Sequence, residues 1–501
     1  MKRTILYTVL ILCLFIVLGH ERALAQKTSE TAVPSGSPTL IPLEGNSVDN
    51  ASAYYNRGNS YYDLGEFAQA IADYTEAIRL NPAYVEAYYN RALAYYNLGQ
   101  YEQSIADNTE AINIDPSYAA AYNNRGFAYS LLGDNMQAIA DYTEAIRLDP
   151  NYVLAYNNRG IAYYHIGEYR HAIADFDQAI RLDPNDADAR NNRGLSYYQL
   201  NNHKEAIADF TAAISLNPVF VEAYNNRGYS HYLLGEYAEA IADFDEALRL
   251  NPEYVLAYHN RGFVYHEQGE YAQAITDYDQ VIRLDPENAD AYYNRGLAYH
   301  ASGAYAEAVA DYTQAITLNP EDVEAYYNRG MIYFAQAEYQ LAVADFTLAL
   351  SVDPAYTEAY HTRGVAYEIL DKTEFAAGDF AAYIEQAMTE VVEGAPLSFS
   401  QTVTLEIGAG TVYRLPFRAE TQQVIDIIAS APNTSVDPLI VLLNPDENPI
   451  AGSDDQEPNS ENYSAAIEGF VVPQAGLYTL LVTTVSGTEG AVEVTASISG
   501  G

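Results

Sequence analysis

The chain has 501 residues, 49% of them apolar, and its 25 basic and 68 acidic side chains give a formal net charge of −43. That apolar share supports a continuous core over most of the length, while so acidic a surface repels nucleic acid and anionic lipid headgroups and excludes both as partners. Cys13 is the single cysteine, so a disulfide within the chain and a thiolate metal site are both excluded.

In chain order, residues 1–25 have the layout of a secretory signal. Lys2 and Arg3 precede an apolar run from Ile5 to Leu18, and Ala23-Leu24-Ala25 supplies small residues for cleavage before Gln26. That run is short for the ~20 apolar residues that span a bilayer, so a cleaved leader is expected rather than an anchor. Leu12 before Cys13 does not fit lipoprotein processing, which wants a small residue there. The expectation is a mature protein that is extracytoplasmic (periplasmic, cell-surface or secreted) with no stable membrane insertion. Residues 26–50, rich in Ser, Pro and Thr, read as a flexible linker.

From residue 51 to 390 the sequence repeats itself every 34 residues without insertion. An arginine returns at Arg57, Arg91, Arg125, Arg159, Arg193, Arg227, Arg261, Arg295, Arg329 and Arg363, and a proline keeps step from Pro82 to Pro354. Self-similarity at this period marks a helical solenoid, in which each unit buries its apolar face by stacking on its neighbours. In the first unit, Ala53, Tyr54, Gly58 and Tyr61 share one helical face, and Leu64-Gly65 ends that helix. Phe67, Ala70, Ile71, Tyr74, Ala77 and Ile78 form the apolar face of a second helix, which Asn81-Pro82 stops. From about Val391 the period gives way to short alternating runs, 402–407, 412–417, 424–428, 439–443, 466–472, 478–483 and 492–498, punctuated by Gly, Pro, Asn and Asp. They predict a small all-β sandwich over 391–501.

The recurring Tyr54, Gly58, Tyr61, Gly65, Ala70, Tyr74, Ala77 and Pro82 closely resemble the tetratricopeptide repeat, here in ten tandem copies. The resemblance implies a mainly α fold, an α-solenoid of helix pairs wound as a right-handed superhelix. Departures are Asn108 for the second-helix aromatic, His231 for a tyrosine and Arg190 for the first tyrosine. In the last unit Asp371 stands for glycine, Tyr383 for alanine and Met388 for proline. A terminal unit that meets something other than another repeat is expected to drift in this way. In the C-terminal region Asp437-Pro438-Leu439, Asp454-Asp455 and Gly476-Leu477-Tyr478-Thr479-Leu480 look like the pre-peptidase C-terminal domain of secreted bacterial enzymes, which implies an extracytoplasmic accessory module.

Each repeat arginine is followed 16 residues later by an aspartate, from Asp73 to Asp379. A partly buried guanidinium needs a carboxylate, so an ion pair is expected in each unit, within it or across to the next. That reading leaves little room for ten anion-binding arginines. Before the arginine stand Asn56, Asn90, Asn124, Asn158, Asn192, Asn226, Asn260, Asn294 and Asn328, a series that ends at Thr362. The family resemblance implies that this position lines a concave groove, where asparagines grip an extended peptide backbone. A side-chain amide donates and accepts, which suits main-chain N–H and C=O groups whatever the sequence. Tyr62, Tyr96, Tyr164, Tyr198 and Tyr232 lie six residues on, close to the same face, and aromatic bodies with a polar tip suit peptide contact. The competing explanation is that the asparagines accompany a recent duplication or bond within the helix.

Only four lysines are present, so capture of a peptide carboxylate by a basic groove is not expected, and neutral or basic extended segments fit better. Neither a zinc-protease, a serine-hydrolase nor a phosphate-loop signature occurs, and no cofactor or metal is expected, the histidines being irregularly placed. Asp454, Asp455 and Glu457 share an acidic loop with calcium-type ligands, although a lone acidic loop is ordinarily solvated. The sequence therefore predicts an exported, non-enzymatic scaffold for a protein or peptide partner. Its alternative is an accessory subunit that positions a secreted peptidase or cell-wall-active enzyme through the C-terminal sandwich.

Overall fold

A computed structural model describes residues 47–431, 436–454, 464–485 and 490–498. The leader, most of the linker, Asp455 and Glu457 lie outside the described residues. Twenty helices run from Ser47–Asp63 to Thr373–Ala387, paired within each repeat as expected, and nine strands follow. No helix among the described residues is long and apolar enough to cross a membrane.

The hinge between paired helices is a left-handed residue. Gly65, Gly99, Gly133, Gly167, Gly235, Gly269 and Gly303 hold φ between 72° and 84° there. Asn201, Ala337 and Asp371 take φ of 59°, 60° and 55° at the same position without glycine's freedom. At the far end of the pair Asn81 is extended ahead of Pro82, with φ −136° and ψ 91°, and its side chain accepts from the Ala83 amide at 3.2 Å.

Two interactions lock each pair. The glycine after the repeat arginine sits under the large ring of the second helix: a methyl on Gly194 would lie 2.7 Å from Phe210 Cε1, and one on Gly58 2.7 Å from Tyr74 Cε1. In the second repeat Ala92 replaces that glycine and Asn108 replaces the ring, both fully buried. A smaller side chain on one helix leaves room for a larger one on the other. The expected ion pairs also form, and they are bidentate. Arg57 donates to both Asp73 oxygens at 2.6 Å, and the same geometry holds Asp107, Asp141, Asp175, Asp209, Asp243, Asp311, Asp345 and Asp379. The third guanidinium nitrogen reaches back one repeat, from Arg125 to Thr109 at 3.1 Å and from Arg193 to Asp177 at 2.5 Å. One arginine thus ties helix to helix and repeat to repeat.

The chain divides into two compact units, one through Val264 and one from Tyr265. In the first unit the core of repeats four to six is continuous, joining Ile161, Phe176, Leu195, Phe210, Tyr229 and Phe244. The second unit ends in the sandwich, whose strands are β1 (Glu390–Glu393), β2 (Gln401–Ile407), β3 (Thr411–Ala419), β4 (Val424–Ser430), β5 (Pro438–Leu443), β6 (Pro449–Ser453), β7 (Ser464–Val471), β8 (Gly476–Thr484) and β9 (Gly490–Ile498). One sheet has the order β1-β3-β8-β5-β6 and the other β2-β9-β4-β7. All neighbours are antiparallel except β1, which runs parallel to β3. Leu405, Ile407, Leu415, Phe417, Ile425, Ile427, Ile440, Tyr478 and Val492 fill the space between the sheets.

Every residue of β5 is buried, because the outer face of its sheet is also covered. Phe380, Tyr383 and Ile384 of the last helix pack on Leu439, Val441, Leu443 and Leu481. The sheet closes the end of the tenth repeat where an eleventh would stack, which accounts for Tyr383 and Met388 departing from the repeat pattern. Alternation does not disclose β1 and β6. The former is a short acidic edge, and the latter begins at Pro449 and carries Gly452 against Phe380.

Candidate functional site

Consecutive residues on a helix point about 100° apart, so an arginine aimed at the second helix turns its preceding asparagine toward a neighbouring repeat. The asparagines form a seam there, donating to the residue before the asparagine of the previous repeat. Asn158 Nδ2 donates to Asn123 Oδ1 at 3.0 Å, Asn226 to Asn191 at 3.1 Å and Asn260 to Asn225 at 2.9 Å. Where the previous repeat carries tyrosine, the amide takes its hydroxyl: Asn90 donates to Tyr55 and Asn59 at 2.9 Å each, and Asn328 to Tyr293 at 3.1 Å. Asn158, Asn192, Asn226, Asn260 and Asn294 are buried, Asn90, Asn124 and Asn328 half-buried, and Asn56 in the first repeat is exposed.

Sequence reasoning missed the other half of this seam, the residue before each asparagine. It is Tyr55 and Tyr89, then Asn123, Asn157, Asn191 and Asn225, then His259, Tyr293 and Tyr327. The doubled asparagine from repeat three to repeat six was its visible signal. Buried amides here do not all find partners. Asn124 Nδ2, Asn157 Oδ1 and Asn225 Nδ2 are buried without a hydrogen bond. Asn157 instead donates to Asp186 at 3.2 Å, and burial pushes the Asp186 carboxyl above its ordinary range. Burial holds the His259 imidazole down to about 4.

The five tyrosines lie between successive first helices. Tyr62 accepts from Asn97 and Tyr164 from Gln199, both at 2.9 Å. Tyr96 packs on Phe127, Tyr198 on Tyr229, and Tyr232 edge-on to Phe263. Tyr164 and Tyr198 are buried, whereas Tyr62, Tyr96 and Tyr232 keep part of their surface. In the second unit, Tyr293 OH donates to Glu324 Oε2 at 2.9 Å and Tyr327 OH lies 3.2 Å from Thr362 Oγ1. His361, at the seam position of the tenth repeat, meets Asp454 of the sandwich at 2.7 Å. Asp454 is buried against that histidine, and its amide donates to Glu368 at 3.3 Å.

Among known proteins, family models described as TPR repeat match residues 58–99, 264–303 and 297–337. Models described as tetratricopeptide repeat match 85–118, 119–152, 153–186, 191–255, 244–276 and 323–356. The human mitochondrial import receptor subunit TOM70 is 38% identical over 68 residues, which are 11% of this chain and 11% of that protein. Among solved structures, YrrB, a TPR protein with an unusual peptide-binding site, is 24% identical at a TM-score of 0.34, covering 37% of this chain and 96% of its own. A tetratricopeptide repeat protein from Parabacteroides merdae is 20% identical at a TM-score of 0.41, covering 50% and 99%.

Proposed function

The chain belongs to the tetratricopeptide-repeat family and is a protein-interaction scaffold, and we propose that it is an exported one that holds an extended peptide segment along its asparagine seam. The reading rests on the buried amide atoms of Asn124, Asn157 and Asn225 that have no partner. A buried polar group without a hydrogen bond costs about 1–3 kcal/mol, and an extended main chain offers donor and acceptor to every such atom. The seam bonds of Asn90, Asn158, Asn226, Asn260 and Asn328 fix the floor. Asn56, Asn192 and Asn294 continue it, and the partly exposed Tyr62, Tyr96 and Tyr232 rim it beside the deeper Tyr164 and Tyr198. Export rests on the N-terminal leader, and the sandwich, of pre-peptidase type in this reading, would add a surface contact.

A second reading makes the chain an accessory subunit that docks a secreted peptidase or cell-wall-active enzyme through the sandwich. It is supported by Ile428, Val471, Leu477 and Ile498, which lie exposed on β4, β7, β8 and β9. Peptide-array binding separates the two. The groove reading expects signal to collapse in N192A/N226A and to persist in I428S/V471S, and the opposite pattern moves the site to the sandwich. Export is checked by N-terminal mapping of the protein from the envelope fraction, with Gln26 as the expected first residue.

A further inference from the structure

The second unit carries a row of carboxylates that its own cations do not reach. Asp290, Glu324 and Glu358 occupy one recurring position, the second residue of repeats eight, nine and ten, and Asp322 ends repeat eight beside them. None of the four takes part in an ion pair among the described residues, whereas the nearby Arg295, Arg329 and Arg363 are held by Asp311, Asp345 and Asp379. Tyrosines interleave with the acids. Tyr293 donates to Glu324, and the Tyr327 ring lies 5.2 Å from that of Tyr356. Burial, then the adjacent Glu324 and Asp290, push the Asp322 carboxyl above its ordinary range, so these charges crowd one another.

A separate feature lies in the wall behind them. Tyr312 is fully buried, its ring centroid 5.9 Å from that of Tyr293, and its hydroxyl has no hydrogen-bond partner. In the first repeat the equivalent Tyr74 hydroxyl donates to Asn59 at 2.8 Å, whereas repeat eight has Leu297 where that asparagine stands. An acceptor is missing from the wall, and uncompensated carboxylates stand before it.

We propose that the Asp290–Asp322–Glu324–Glu358 row, with Tyr293 and Tyr327, is a docking site for an extended peptide segment carrying lysine or arginine. Carboxylates compensate the cation, the tyrosine faces stack on its alkyl stem and charged head, and a ligand carbonyl accepts from Tyr312. This names the class of partner for the proposed scaffold but uses different residues from the amide seam.

Two synthetic dodecapeptides, one alternating Lys with Ser and one alternating Gln with Ser, serve as probes for the full chain in fluorescence anisotropy. The Lys peptide should bind and weaken about tenfold in D290N/D322N/E324Q/E358Q. Four exposed carboxylates elsewhere, removed as E205Q/E239Q/E307Q/E385Q, should leave its affinity within about twofold. The single variant E324Q, which retains the Tyr293 hydrogen bond, should show an intermediate loss and covers the case in which the quadruple variant fails to fold. Equal losses in the two quadruple variants would mean that net charge alone attracts the probe, and the proposal would fall. No binding of the Lys peptide would overturn it as well. Binding of the Gln peptide that vanishes in N192A/N226A would leave the amide seam standing without the acidic row. Lys-peptide binding indifferent to N192A/N226A but lost in the acidic variants would do the reverse.

Discussion

Replacing Gly194 with alanine tests how the repeat holds its two helices together. The added methyl would lie 2.7, 2.9 and 3.1 Å from Cε1, Cδ1 and Cζ of Phe210, a ring with no exposed surface. Carbon–carbon contacts settle at about 3.5–4.0 Å, so the ring must withdraw by roughly 1 Å into a core that also holds Leu195 and Ala206. Overpacking of this kind costs about 1–3 kcal/mol. Alanine returns about 1 kcal/mol through its better helix propensity, leaving a net loss of about 1–2 kcal/mol. Urea unfolding followed by circular dichroism measures the shift, and hydrogen exchange across Ala187–Gln199 and His203–Leu216 localises it. The same substitution in a Phe210→Leu background should cost less, because a smaller side chain gives way, and a double-mutant cycle reads that difference. A midpoint that rises in G194A, or a penalty undiminished in the Phe210→Leu background, would refute the close-approach argument.

The remaining predictions concern single repeats. Ala92→Gly, opposite Asn108, should destabilise by about 1–2 kcal/mol in the same urea assay, through a lost buried methyl and poorer helix propensity. Ala337→Gly should stabilise by about 1 kcal/mol in thermal melts, because Ala337 holds φ 60°. Asp141→Ala should cost about 3 kcal/mol, and Asp209→Ala about 1 kcal/mol less, because Arg193 keeps Asp177 while Arg125 keeps only the Thr109 hydroxyl. Since the folded-state pKa of His259 is depressed to about 4, its unfolded form gains a proton first as pH falls. Its penalty should therefore grow from about pH 6.5 down to about 4 and then level off. His259→Asn, the residue standing at that position in four other repeats, should flatten this part of a stability–pH curve, and an unchanged slope would refute the assignment.

How much of this was legible in the sequence depends on whether a residue's partner shares its repeat. The arginine and aspartate 16 residues apart sit on paired helices of one unit, so spacing and the cost of an unpaired guanidinium sufficed to foresee Arg57 with Asp73. The asparagine seam joins residues 35 apart, one repeat plus one position, as in Asn226 with Asn191. A strict 34-residue comparison aligns each asparagine with the next and passes over the pairing with the residue before it. The same reasoning separates the tyrosines: Tyr164 is spent on Gln199 of the following repeat, a partner that the single-unit pattern does not display. At the C-terminal end the limit is different in kind. The drift at Tyr383 and Met388 disclosed that something other than a repeat lies there, but the apolar run at β5 does not say which side of its sheet faces a helix. Only the packing of Phe380 against Gly452 and its neighbours settles that. Function divides along the same line. Residues whose partners lie inside the fold, the arginines above all, are accounted for by stability. The amide atoms of Asn124, Asn157 and Asn225 and the acids around Tyr293 are not, and those unmatched groups are where a ligand has chemistry to complete.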